Sequence, residues 1–314
     1  MKRKVIQIAE STQLISLPRK WALKYGVKKG DELDVEAESD HLIIRTGNVP
    51  DLKEVEITVS QLDRSSIFHV LRNLYRRGYN VIKVSFDKPI TPHYRLKEPK
   101  KIISVLHEEV HRLPGLEIIQ QKENFCLIKN VSEVNEKEFD NILRRVFILL
   151  TDMSSDLLTG MKNVDLVMME TIEEKHFSVT KFINLCLRML NQRSSLESSK
   201  LPFLYHLIST IWFISSSIKY CARDFLNYKK ALSPETYKLL ELIDYQIKQF
   251  YEFFYKFDFE RIRKLSENKE KIKIVVDQLP EKNIPAKELI LLDKMVNCLE
   301  MMVDMIGARV ALQF

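Results

Sequence analysis

The stretch TQLISLPRKWALKYGVKKGDELDVEAESDHLIIR, Thr12 to Arg45, decides how the first part of the chain is read. Leu14 and Leu17 alternate around Ser16, and Pro18 suits the first position of a short helix, where its missing N–H costs nothing. Arg19 to Tyr25 supplies one or two helical turns, closed by Gly26 as the C-terminal cap. The Lys28-Lys29-Gly30-Asp31 segment makes a turn. Leu33, Val35 and Ala37 alternate with acids, as in a half-exposed strand, and Leu42, Ile43 and Ile44 form a last short strand. Upstream, Lys4 to Ile8 reads as a strand and Ala9 to Gln13 as a turn. A unit of roughly 45 residues with four short strands and one small helix buries too little surface to stand well alone. It is therefore expected to dimerise, its edge strands pairing with those of a second copy.

Charge is spread unevenly over this part of the chain. The protein carries 49 basic and 43 acidic side chains in 314 residues, a net charge of +6. Residues 1–30 hold eight of the basic groups against Glu10 alone, whereas residues 31–56 hold nine acids against Arg45 and Lys53. Cations gathered at one end of a small domain are the footprint expected for contact with phosphate backbones; a merely solvated basic face has the same composition.

The apolar strand ending in Leu-Pro, the basic Trp-containing helix, the Gly-Val pair, the Lys-Lys-Gly-Asp turn and the closing apolar strand together resemble the AbrB/MazE/SpoVT family of swapped-hairpin DNA-binding domains. The resemblance covers nearly all of residues 3–46. It implies that two chains interleave their hairpins into one β-barrel, so that residues 1–50 make a homodimer gripping double-stranded DNA. Carried over residue by residue, it assigns DNA contacts to Arg3, Lys4, Arg19 and Lys20, with the Ser11-Thr12-Gln13 loop as a second contact. Lys24, with Lys28 and Lys29, widens the positive field. Arg can bridge phosphate oxygens or a guanine edge, which suits the chemistry. The alternative is a barrel that only dimerises the protein.

Residues 51–135 change character and read as a small α+β connecting domain. Glu54 to Val59 is a strand and Ser65 to Gly78 an amphipathic helix with Ile67, Val70, Leu71 and Leu74 on one face. Asn80 to Phe86 is a strand, and Asp87 to Pro99, with three prolines, a loop. A helix runs from about Lys101 to Leu113, stopped by Pro114-Gly115, before two strands around Leu116–Gln120 and Phe125–Lys129. The run His107-Glu108-Glu109-Val110-His111 formally matches H-E-x-x-H, which can bind zinc with the Glu as general base. Here the helix ends three residues later, and no later segment offers an obvious third ligand. Glu109 and Arg112 are expected on a solvated charged face, as are Arg72, Arg76 and Arg77.

From Phe139 onward only two glycines occur, and each proline falls at a break in apolar periodicity. The spacing predicts helices near 138–160, 163–193, 201–228, 234–257, 259–279 and 285–313, grouped as two three-helix bundles over residues 136–230 and 231–314. The overall class is thus multidomain α+β, with an all-α carboxyl-terminal part. Following HRLPGLEIIQQKENFCLIKNV, this arrangement resembles the PhoU family in its composite, mainly archaeal form. The resemblance implies phosphate-uptake regulation and pairing with phosphate transporters or sensor kinases through the helical region. PhoU bundles often carry carboxylate pairs that hold metal clusters. This sequence departs from that pattern, placing His176 with Thr180 and Ser209 with Phe213 where paired acids are expected. Glu170–Glu174 and Glu300–Asp304 keep one-turn spacing but read as solvated acids, so no metal site is expected. His176 is expected at the surface and His206 inside the bundle. The aromatic run from Tyr245 to Phe259 is expected to form a seam between bundles, or a protein-contact patch where exposed.

Composition excludes disorder, collagen-like repeats and a disulfide scaffold: 45% of residues are hydrophobic, and the four cysteines are far apart without a CxxC pair. Leu201 to Ile218 carries no formal charge but contains Pro202, His206 and a serine triplet, which fits a buried helix better than a membrane span. Charges near the amino terminus argue against a signal peptide, and the expected location is cytoplasmic. No nucleophile–base pair or phosphate-cradling glycine loop appears, so neither enzymatic activity nor a cofactor is expected. The leading expectation is a dimeric DNA-binding transcriptional regulator. The alternatives are a PhoU-like adaptor on a transporter or kinase, and an architectural DNA-binding protein.

Overall fold

The computed structural model describes residues 2–8, 12–38, 41–46, 53–132, 135–192 and 199–314, and the chain divides into two compact units, Met1–Asp51 and Leu52–Phe314. Small β-sheets with short helices come first, and a region of six long helices follows, so the class is mixed α+β.

Unit 1 contains two separate antiparallel hairpins. Strand β1 (Ile6–Ile8) pairs with β2 (Thr12–Leu14), Ile6 facing Leu14 and Ile8 facing Thr12. Helix α1 (Arg19–Lys24) follows Pro18, which is extended at ψ 118° and sits one residue earlier than the position expected of it. Gly26, at φ +67°, takes the left-handed conformation that closes α1. Strands β3 (Leu33–Glu38) and β4 (His41–Thr46) then pair along their whole length, Val35 facing Ile44. The expected turn over Ala9–Gln13 is shorter than predicted: Thr12 and Gln13 belong to β2, where ladder pairing with Ile8 and Gln7 satisfies their backbone. No described residue of unit 1 is fully buried.

Unit 2 begins with strand β5 (Glu54–Thr58), helix α2 (Arg64–Arg76) and strand β6 (Val81–Ser85). Asp63 caps α2 by accepting hydrogen bonds from the backbone N–H groups of Ser65 and Ser66. Strands β7 (Ile90–His93) and β8 (Glu98–Lys101), helix α3 (Ile102–Val110), and strands β9 (Leu116–Gln121) and β10 (Phe125–Asn130) follow. The four-stranded sheet has the order β5-β6-β10-β9, with β5 parallel to β6 and the other pairs antiparallel. Alternate residues Ile82, Val84, Cys126 and Ile128 face the core with no exposure, against Ile67 and Leu71 of α2 and Val105 and Leu106 of α3.

The segment predicted as a proline-rich loop is the β7–β8 hairpin, Pro92 facing Pro99. A two-stranded ribbon has two free edges, so prolines need not interrupt a ladder there. Thr91 fixes the ribbon by donating to the Leu62 carbonyl at 2.6 Å.

Helices α4 (Phe139–Asn163), α5 (Leu166–Gln192), α6 (Leu201–Tyr228), α7 (Pro234–Tyr255), α8 (Phe259–Gln278) and α9 (Ala286–Ala311) fall within a few residues of the predicted bounds. Pro234 opens α7 directly after its cap Ser233, and Asp258 caps α8. The six helices enclose one continuous core, in which α4 packs on both α5 and α7 while α6 packs on both α5 and α9. The aromatic run supplies part of it: Phe147 of α4 packs against Phe250, Tyr251, Phe254 and Tyr255 of α7. Among the described residues, α6 alone is long and apolar enough to cross a membrane, and half of its most apolar window is buried within the protein.

Arg188 joins the sheet-and-helix layer to the helical region. From near the carboxyl end of α5 it donates to the carbonyls of Tyr75 (2.7 Å) and Tyr79 (2.9 Å) and to Asn80 Oδ1 (2.6 Å), with its guanidinium over the Tyr75 ring. These acceptors lie at and just beyond the carboxyl end of α2, where a cation also suits the helix dipole.

Candidate functional site

The sequence-predicted DNA contacts lie in unit 1. Arg3 and Lys4 precede β1, Thr12 and Gln13 lie in β2, and Arg19, Lys20 and Lys24 lie on α1; Ser11 lies outside the described residues. All seven placed side chains are exposed. Arg3, Lys4, Arg19, Lys20 and Lys24 have no ion pair among the described residues, so their charge is available to a partner. Lys24 does sit over its neighbour Tyr25, 5.1 Å from the ring centre, and Tyr25 packs against Trp21. The apolar residues between these cations are unusually open: Val5, Ile6, Val35 and Leu42 each leave more than half of their surface exposed. Two hairpins that do not share a sheet have four strand edges to fill and no core of their own.

A second candidate site, missed in the sequence, lies inside unit 2. A cavity of about 720 Å³ opens between α2, α3 and the β7–β8 ribbon on one side and α5 with α6 on the other. Its walls are charged. Glu108 is held by Arg64 and by Arg112 (3.1 Å), and Glu173 by Arg223. Behind the wall, fully buried Glu109 accepts two bonds from Arg72, at 2.9 and 3.1 Å. The expectation that Glu109, Arg72 and Arg112 face solvent is therefore corrected: Arg72 is buried and Arg112 partly so, and pairing makes that burial tolerable. Arg76 is also half-buried, donating to Asn184 of α5 at 2.9 Å, and of Arg72, Arg76 and Arg77 only the last, just beyond the end of α2, is exposed.

Lys219 and Arg95 also line the cavity, and neither has an ion pair among the described residues. Burial and the neighbouring Arg223 bring the Lys219 ammonium down to about 8, with Arg112 and Arg95 adding repulsion and Glu173 opposing it. His176 points to the same field. Burial first, then Lys219, Arg112 and Arg223, bring its imidazole down to about 3, so it is neutral. Its Nε2 lies 3.0 Å from Ser216 Oγ, whose single hydrogen goes to the Trp212 carbonyl, so the imidazole is the donor. The expected placement of the two histidines is reversed. His176 lines the cavity, while His206 is exposed and pairs with Asp304 at 3.0 Å.

Three side chains lining this cavity each carry a covered donor atom, Arg112 Nε, Thr180 Oγ1 and Trp212 Nε1, with no partner among the described residues. In the H-E-x-x-H run, Glu108 is committed to arginines and His107 Nε2 lies 3.0 Å from Gln121 Oε1. Among the described residues no three His, Cys, Asp or Glu side chains converge as a metal site. The one sequence feature pointing at the cavity was the string of arginines on α2, Arg64, Arg72 and Arg76, at helical spacing. No protein-family model, no curated protein and no solved structure matches the chain, so both sites are read from their own geometry.

Proposed function

We propose that the protein is a dimeric DNA-binding transcriptional regulator. In this reading, unit 1 of two chains forms a swapped-hairpin barrel of the AbrB/MazE/SpoVT kind, and the PhoU-like helical region receives a signal, in keeping with phosphate-uptake regulation. The observation that carries the reading is the combination found in unit 1: strands with exposed apolar residues, beside cations that have no ion pair among the described residues. A barrel built from two such units hides the apolar residues and doubles the cationic rim. Arg19 and Lys20 then fix the duplex through its phosphates, while Thr12 and Gln13 reach a groove.

The test is an electrophoretic mobility shift with the full chain on genomic double-stranded fragments, repeated over a salt series. Affinity should fall steeply with salt, and Arg19→Ala with Lys20→Ala should weaken binding at least tenfold without changing the circular dichroism spectrum. Failure of the intact protein to bind duplex DNA in low-salt buffer refutes the proposal. The adaptor alternative drew on an exposed aromatic patch. Phe250 and Phe253 are buried and the neighbouring rings pack on Phe147, which leaves Tyr245 and Phe259 as its exposed members.

A further inference from the structure

We propose that the cavity between α2–α3 and α5–α6 binds a small multivalent phosphate ester of nucleotide size. The inference is independent of the DNA-contact reading of unit 1.

Charge is the first ground. Six cationic side chains meet at the cavity, against Glu108, Glu173 and Glu174 on its surface and Glu109 behind it, a surplus of two positive charges. Three of the four carboxylates are already spent, since Glu108, Glu109 and Glu173 are all shared with arginines. Lys219, half-buried, and Arg95, exposed at the rim, have no ion pair among the described residues and are left for an incoming anion, Lys219 being the desolvated one. A desolvated cation with no counter-charge is unfavourable in the free protein, and an anion removes that penalty.

Hydrogen bonding points the same way and narrows the chemistry. Of the six buried side-chain polar atoms lacking a protein partner among the described residues, three belong to side chains that line this cavity, although the atoms themselves are covered. The ammonium of Lys219 and the guanidinium of Arg95 together offer more N–H groups than the two oxygens of one carboxylate can accept. A phosphate group offers three acceptor oxygens and close to two charges, and arginine forks match its geometry.

The remaining walls are aromatic. Trp212 and Phe177 line the cavity, with Arg72 5.8 Å from the Trp212 ring centre and Arg112 5.4 Å from that of Phe177. They offer a planar ring an apolar surface beside the cations, and about 720 Å³ lies in the range typical of small-molecule sites.

Isothermal titration of the full chain with ATP, inorganic pyrophosphate and citrate tests the assignment. ATP should bind saturably at one site per chain, more tightly than either pyrophosphate or citrate. Lys219→Met and Arg95→Ala should each weaken ATP about tenfold or more. Trp212→Phe should weaken ATP more than pyrophosphate, and the double change Arg19→Ala, Lys20→Ala should leave the affinity unaltered, which separates this cavity from the rim of unit 1. Without ligand, Lys219→Met should melt above the wild type, since it removes an unpaired, half-buried cation; weak binding by that variant is then not a folding defect. The proposal is overturned by the absence of saturable ATP binding. It is equally overturned by citrate or pyrophosphate binding as tightly as ATP, or by ATP affinity that ignores both Lys219→Met and Arg95→Ala.

Discussion

The β3–β4 hairpin of unit 1 and the β6–β10 pair of unit 2 are both antiparallel ladders of alternating apolar residues, yet they place those residues differently. Val35 and Leu42 each leave 60% of their surface exposed, whereas Ile82 and Ile128 leave none. Strand length does not explain this, since all four strands have five or six residues. What differs is what lies above the sheet. In unit 2, α2 and α3 cover one face of the sheet, and α2 in turn packs on α5. In unit 1 the only helix among the described residues, α1, has six residues, none of them buried. One chain thus completes unit 2, while the strand edges and apolar faces of unit 1 stay uncovered among the described residues.

Arg188→Met should have the largest effect and sharpens the comparison on the side of unit 2. The variant keeps most of the side-chain volume but strips the Tyr75 and Tyr79 carbonyls and the Asn80 side chain of their donor. Unsatisfied buried acceptors and a lost interlayer tie should cost about 3–5 kcal/mol, read as a lower urea midpoint. If the midpoint falls by less than 1 kcal/mol equivalent, the two layers of unit 2 are held by their other contacts and the Arg188 tie is incidental.

That tie also shows how far the sequence could be read. The helices of residues 139–311 were legible because apolar residues recur at helical spacing and prolines sit at the breaks; Pro234 opens α7 as its position suggests. The β7–β8 ribbon was not legible, since prolines argue against strands unless an edge is free, and a free edge is a tertiary fact. The exposed basic positions of unit 1 were readable from local charge. The cavity was not, because its ion pairs join residues far apart in sequence: Arg72 with Glu109, Arg64 with Glu108, Glu173 with Arg223. Read alone, each of these residues looks solvated, and only the fold shows that Glu109 is completely buried. Arg188 left a usable trace, a single cation inside the apolar run LCLRML, where an unpaired charge would be costly.

Val35→Asp breaks the comparison on the side of unit 1 or confirms it. In a monomer with Val35 60% exposed, the change should matter by no more than about 0.5 kcal/mol. If a second copy covers β3, burying a carboxylate there should cost about 2–3 kcal/mol of dimer stability. Sedimentation equilibrium should then show the variant dissociating at concentrations where the wild type stays dimeric, with DNA affinity falling in parallel and unit 2 melting unchanged. A variant with wild-type mass and wild-type DNA binding would mean that the open hairpin of unit 1 is its finished state.

The smallest effect belongs to the cavity, where closure of unit 2 imposes a protonation state. Burial, aided by Lys219, Arg112 and Arg223, holds His176 at about 3, well below the ordinary 6.5. Below pH 6.5 the unfolded chain therefore takes up a proton that the folded chain refuses, so stability is full above that pH and declines as the solution is acidified toward 3. Going from pH 7.5 to 5.5 should cost the wild type about 1 kcal/mol through this residue. His176→Gln, whose amide can still donate to Ser216, should lose that much less over the same interval. Glu109 titrates with the opposite sign, because burial raises its carboxyl against the pull of Arg72 and Arg112. It is common to both proteins, so the difference between their urea midpoints isolates His176. Parallel pH profiles would show that His176 reaches solvent when protonated and that this wall of unit 2 opens more readily than its sheet core.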